Sequence, residues 1–270
     1  MIVGQTQTLK LIDTLIATNK FPRTSLLIGE RGCGKHLLSQ YVADKLNIPL
    51  IDISNKISLA TIEEISGCSE IRVYSISTSD LDERKQNIIL KFLEEPMENA
   101  YIILLCENVN YLLNTIVNRC YAITCDKYTE TELLQFLDKD NLSEEDIKFI
   151  LSACTTPGQL KSISPTKLKE LNSLTTKIVD YLYKANFSNT LTIANKLNYK
   201  DEYDKFDVNI FLSSMAKTIT DKFNKTGDSK LYEMYLTTIE AQKILNLYNV
   251  NKQYTIEYYL SNIWSIYHGA

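Results

Sequence analysis

Between residues 25 and 124 short apolar runs alternate with segments of helical period. The runs are Ser25-Leu26-Leu27-Ile28, Pro49 to Ile53, Ile71 to Ile76, Tyr101 to Cys106 and Tyr121 to Thr124. The helix-like segments fall at 5–18, 35–46, 57–66, 81–94 and 111–117. Strands that alternate with helices cannot pair as hairpins, so the pattern predicts a parallel sheet covered by helices on both faces. The first strand-to-helix junction carries Gly29-Glu30-Arg31-Gly32-Cys33-Gly34-Lys35-His36.

That junction matches the phosphate-binding loop G-x-x-x-x-G-K, which takes Ser or Thr as its next residue. Gly29, Gly32 and Gly34 let backbone N–H groups turn inward around phosphate oxygens, the helix N-terminus adds its positive end, and Lys35 adds a full charge. His36 stands where a hydroxyl normally meets magnesium, and a hard cation prefers oxygen to imidazole nitrogen. An ATPase also needs a carboxylate at the tip of the Ile71 to Ile76 strand to hold metal and polarise water. Ser77 and Thr78 occupy that tip. Asp80 and Asp82 follow, and helix capping is the plainer use for both.

Other chemistries have little material. Two histidines, His36 and His268, leave nothing for a His metal cluster or a Ser-His-Asp relay, and the six cysteines contain no C-x-x-C pair. Free thiols are expected. A net charge of −4 gives no global case for nucleic-acid binding, so any DNA contact would be local or shared with partner chains. No stretch approaches the roughly 18 apolar residues of a membrane span, and the start carries no signal-peptide pattern, so no membrane association and a cytoplasmic location are expected.

Strand signals stop near residue 127. Tyr128-Thr129-Glu130-Thr131-Glu132 and Leu142-Ser143-Glu144-Glu145-Asp146 each open a helix with an acidic first turn. From about Ser164 longer amphipathic helices follow, with polar breaks near Asn186, Lys200 and Gly227. The expected organisation is an α/β P-loop-type domain at 1–127, a small helical lid at 128–163 and an all-α domain at 164–270.

The segment Gln86-Asn87-Ile88-Ile89-Leu90-Lys91-Phe92-Leu93-Glu94-Glu95-Pro96 resembles the N-A-L-L-K-x-L-E-E-P stretch of bacterial clamp-loader AAA+ subunits. By itself it is an amphipathic helix with Ile89, Leu90 and Leu93 inward and Pro96 as a stop signal. Its neighbours match in order too: Val3-Gly4-Gln5, Leu112 to Cys120, and Thr156-Pro157-Gly158. The resemblance spans residues 1 to about 165 and implies an AAA+ fold with a C-terminal collar that joins subunits. It also implies that Asn118-Arg119-Cys120 stands for the family's S-R-C triplet, whose arginine reaches into a neighbouring subunit's ATP site. Read without the resemblance, Arg119 is a cation at a helix end suited to a surface ion pair.

Thr155-Thr156-Pro157-Gly158-Gln159-Leu160 is similar to G-S-P-G-R-A-L, with Gln159 near the place of a phosphate-sensing arginine. Loop, metal and sensor positions have drifted while the trans-acting arginine remains, a pattern similar to the delta-prime type within DNA polymerase III and unlike the motor subunit. The resemblance thus implies partners of delta and gamma/tau type, with the sliding clamp and primer-template DNA met through the assembled ring. It implies membership of a DNA-directed DNA polymerase complex without ATPase activity in the isolated chain. No cofactor is required, weak ATP or ADP binding stays compatible with the loop, and no structural zinc is expected because residues 37–71 hold only Cys68. Two alternatives stay open: an independent phosphotransferase using Lys35 with Asp80 or Asp82, and a stand-alone regulatory AAA+ module.

Overall fold

A computed structural model describes residues 2–79, 81–94, 99–138, 142–162, 164–182, 208–247, 250 and 252–268. Asp80, Glu95, Pro96 and the breaks near Asn186 and Lys200 lie outside these residues. The chain divides into two compact units, Met1–Glu132 and Leu133–Ala270. Residues 133–163 of the expected lid and the whole expected collar fall in the second unit.

The first unit is a five-stranded parallel sheet in the order β2-β3-β4-β1-β5. Its strands are β1 (Thr24–Ile28), β2 (Leu50–Asp52), β3 (Arg72–Ser77), β4 (Ala100–Cys106) and β5 (Tyr121–Thr124). Helices α1 (Thr6–Ala17), α2 (Lys35–Leu46), α3 (Leu59–Ser66), α4 (Glu83–Glu94) and α5 (Asn114–Val117) connect or flank them. The side chains obey the period of two that a strand imposes. Leu26, Ile76, Ile102 and Leu104 enter one core with Ile89, Phe92 and Ile116 from α4 and α5. Leu27, Val73, Ile103 and Leu105 enter the other with Ile12, Leu38 and Val42 from α1 and α2. A sheet apolar on both faces must be covered on both, and it is.

Element boundaries moved where a side chain captured a backbone donor. The helix expected over 57–66 starts at Leu59 because Ser58 caps it, its hydroxyl accepting the Thr61 N–H at 3.2 Å. The one expected over 81–94 starts at Glu83, after Asp82 accepts the Lys85 N–H at 2.8 Å. The segment 111–117 is helical only from Asn114, behind a 3₁₀ turn at Val109–Tyr111. On α4 the buried apolar residues are Ile89, Phe92 and Leu93, with Leu90 only partly buried.

Gly4-Gln5 ties α1 to the end of β5. The Gln5 amide donates to the Asp126 carbonyl and accepts the Asp126 N–H, both at 2.8 Å. The Asp126 carboxylate accepts the N–H groups of Gln7 (2.7 Å) and Thr8 (3.3 Å) and the Thr8 hydroxyl (3.1 Å). The first turn of α1 is therefore capped from across the sequence rather than from within its own turn. Gly4 holds a φ of +72°, and a Cβ there would lie 2.7 Å from the Tyr128 ring. Gly4→Ala should cost about 1–2 kcal/mol for the left-handed backbone alone and more for the displaced ring, seen as a lower urea midpoint at unchanged slope.

The second unit is helical: α6 (Glu130–Leu133) leads into it, then α7 (Glu144–Ala153), α8 (Pro157–Ser162), α9 (Pro165–Leu182), α10 (Val208–Thr226), α11 (Ser229–Leu247) and α12 (Lys252–His268). Ser143 and Asp146 form a capping box at the start of α7. Helix α10 packs on α7, α9 and α11, and α11 on α12. Tyr259, 1 % exposed, meets the Thr238 hydroxyl at 2.8 Å, so the polar tip of the largest buried side chain is satisfied.

Candidate functional site

All five strands run the same way, so the loops after them gather at one edge of the sheet, where open α/β sheets bind ligands. Gly29 donates its N–H to the Cys106 carbonyl at 3.0 Å, and Thr78 donates its own to Leu105 at 3.0 Å. The phosphate-type loop, the tip of β3 and the ends of β4 and β5 are thereby neighbours.

The loop has the backbone its glycines require. Gly32 and Gly34 have φ of +81° and +99°, and Gly34 stands at the N-terminus of α2. Tyr128 donates its hydroxyl to the Cys33 carbonyl at 2.9 Å and fastens the loop from the β5 side. Lys35 is only 8 % exposed, and its ammonium donates to the carbonyls of Gly29 (2.7 Å) and Glu30 (3.0 Å). The positive charge lies folded against its own loop.

The metal-binding half does not fit a magnesium ion. His36 is exposed, its Nδ1 3.9 Å from the Asp52 carboxylate. At the tip of β3, Thr78 is buried and donates its hydroxyl to the Leu105 carbonyl at 3.1 Å, while the Ser77 hydroxyl meets that of Ser79 at 2.9 Å. Asp82 is occupied with capping α4. One carboxylate that the sequence did not single out does reach this edge. Asp52, the last residue of β2, accepts the Ser54 N–H at 2.9 Å and the Ser54 hydroxyl, whose oxygen in turn accepts the Ser77 N–H at 2.8 Å. Its position at a strand end beside β3 was the available signal. Among the described residues no group of three or more His, Cys, Asp or Glu is arranged to hold a metal, and no helix is long and apolar enough to cross a membrane.

Arg119 lies at the opposite edge of the sheet. Its carbonyl accepts the hydroxyl of Thr24, the first residue of β1, at 2.7 Å, whereas the loop begins after Ile28. Four strand steps of about 3.3 Å separate the two ends, roughly 13 Å. The Arg119 guanidinium donates to the Thr115 carbonyl (2.9 Å) and to Glu94 (3.0 Å), and both ionic side chains are more than a third exposed. In the second unit the Gln159 amide oxygen is engaged: it accepts the N–H groups of Thr155 (2.7 Å) and Thr156 (3.2 Å) and the Thr155 hydroxyl (3.1 Å). With the Gln159 N–H returned to the Thr156 hydroxyl, Thr156 to Gln159 forms a capping box at the start of α8. The S/T-x-x-Q spacing is the local signal that could have found it.

Residues 50–129 match the family model described as DNA polymerase III, delta subunit. The chain is 25 % identical to DNA polymerase III subunit gamma of Buchnera aphidicola subsp. Schizaphis graminum, across 55 % of this chain and 52 % of that protein. Both matches support a clamp-loader AAA+ family. The chain spans about half the length of this curated relative. Among solved structures it is similar to the Thermotoga maritima RuvB Holliday junction branch migration motor (18 % identity, 82 % of this chain and 78 % of that one, TM-score 0.46). It is also similar to a DNA polymerase III gamma subunit-related protein of the same organism (14 %, 94 % and 98 %, TM-score 0.43).

Proposed function

We propose that this chain is a delta-prime-type subunit of a DNA polymerase III clamp loader, unable to hydrolyse ATP itself and supplying Arg119 to the ATP site of an adjoining subunit. The observation that carries the reading is the division of the sheet: the glycine loop lies at one edge and Arg119 at the other, so Arg119 serves a neighbour and not its own loop. A planar, permanently charged guanidinium suits the charge that develops on a transferring phosphoryl group. Its present ion pair with Glu94 is exposed and of a kind worth at most about 1 kcal/mol, so the side chain can be released to a partner.

The loss of hydrolysis follows from three positions. His36 offers nitrogen where magnesium takes oxygen, the tip of β3 offers Ser77 and Thr78 where a carboxylate is needed, and Gln159 is committed to capping α8. The phosphotransferase alternative loses Asp82 to the cap of α4. No cofactor is required for this role. The partners are subunits of delta and gamma/tau type in a ring, which together engage the sliding clamp and primer-template DNA in the cytoplasm. The isolated protein should release phosphate from magnesium ATP at the rate of buffer alone in a steady-state assay. Turnover that Lys35→Ala abolishes would be incompatible with this role.

A further inference from the structure

The glycine loop rests on two sulfurs. Cys33 lies within the loop, and Cys125 follows β5, its N–H donated to the Ile28 carbonyl at the end of β1 at 2.7 Å. Both are buried, at 3 % and 7 % exposure. A Cβ built on Gly29 would lie 2.7 Å from the Cys33 Sγ and 3.1 Å from the Cys125 Sγ, so both sulfurs converge on one point that only the missing side chain of Gly29 leaves open. Sulfurs that close to a single point are neighbours across the strand ends.

We propose that Cys33 and Cys125 form a reversible intramolecular disulfide that staples the glycine loop to the end of β5. The hydrogen bond from the Cys125 thiol, helped by the charge of Lys35, holds Cys33 down at about 7, while the same hydrogen bond and burial push Cys125 up. One sulfur is therefore the nucleophile and the other the resolving thiol. Two other thiols of the sheet unit, the buried Cys106 and the partly buried Cys120, are set against reaction: desolvation pushes Cys106 up and raises Cys120 to about 12.

The oxidant is hydrogen peroxide or a comparably small peroxide, because neither thiol is open to a bulky disulfide. The Cys33 thiolate attacks one peroxide oxygen and the O–O bond breaks, giving a Cys33 sulfenic acid and hydroxide, which takes up a solvent proton as water. The Cys125 sulfur then attacks the Cys33 sulfur, and the sulfenic oxygen leaves as water with the Cys125 proton. Two thiols and one peroxide become one disulfide and two waters. Two buried cysteines can also be mere small apolar fillers, and the chemistry separates the cases.

This inference stands apart from the proposed function and is tested on the full reduced chain. The protein is treated with a small molar excess of hydrogen peroxide under native conditions, then denatured in an alkylating reagent and mapped by peptide mass. The expected result is a Cys33–Cys125 cross-linked peptide in most chains, four of the six thiols remaining, a raised melting temperature, and full reversal by dithiothreitol. The rate of cross-linking should rise with pH through about 7. In Cys125→Ser, Cys33 should be trapped by dimedone as the sulfenic acid. Recovery of all six thiols, cross-links scattered among other cysteines, or a sulfonic acid on Cys33 in the unsubstituted chain would each overturn the proposal.

Discussion

On the role proposed for it, Arg119→Ala should slow ATP hydrolysis at the adjoining subunit's site by about 10³-fold or more, the range in which trans-acting arginines contribute, while leaving the stability of its own chain within about 1 kcal/mol of the parent. The asymmetry follows from where the residue sits. Among the described residues its guanidinium holds the Thr115 carbonyl and the exposed Glu94 carboxylate. The bond that fixes this corner of the fold, from the Thr24 hydroxyl to the Arg119 carbonyl, belongs to the backbone and survives the substitution. Total turnover of a reconstituted ring should fall less, since other arginines complete other sites, so clamp loading is the more sensitive measurement. Arg119→Lys should fail as well, because an ammonium cannot present the planar fork. Normal clamp loading by Arg119→Ala would reduce the residue to the surface ion pair seen in the isolated chain.

Asp126→Ala should destabilise the sheet unit by about 2–3 kcal/mol, the range for hydrogen bonds to a charged acceptor in partly buried surroundings. The N–H groups of Gln7 and Thr8 lose their acceptor together, and the Thr8 hydroxyl keeps only the Thr124 carbonyl at 3.2 Å. The first turn of α1 has no substitute, since its own N-terminal residue, Gln5, makes no side-chain cap. Asp126→Asn keeps an acceptor oxygen and loses the charge, so it should fall between parent and Ala. Urea unfolding measures the loss, and hydrogen exchange over residues 6–10 localises it. An unchanged midpoint together with unchanged exchange in α1 would mean that water replaces the carboxylate at no cost. The paired hydrogen bonds between the Gln5 amide and the Asp126 backbone persist in both variants, which is why neither should unfold the unit outright.

The sequence was most readable where the deciding interactions are local. The continuous buried runs of β1 and β4, the three glycines before α2 and the caps at Asp82 and Ser143 depend on residues within a few positions of one another, and each sits where its pattern predicts. The helix reading at 111–117 was too long because Leu112 and Leu113 look helical by period, yet the Leu113 N–H goes to the buried Gln86 side chain at 2.8 Å. Gln86 also donates to the carbonyls of Leu81 and Tyr111, so a residue that reads as a polar start to an amphipathic helix is in fact a buried connector between α4 and the 3₁₀ turn.

By itself, then, the sequence determined the strand and helix order, the glycine loop with its unsuitable His36, and the lack of a carboxylate at Ser77 and Thr78, since periodicity, capping and residue chemistry need no knowledge of distant partners. The tertiary structure decided the rest. It set Asp126 under α1 from 119 residues away, linked Asp52 to Ser77 through Ser54, folded Lys35 onto its own loop, separated Arg119 from that loop by the length of β1, and brought Cys33 against Cys125. The physical reason is the parallel sheet. It carries the chain back through its helices after every strand, so residues far apart in sequence meet at one edge, and no local pattern records which of them will.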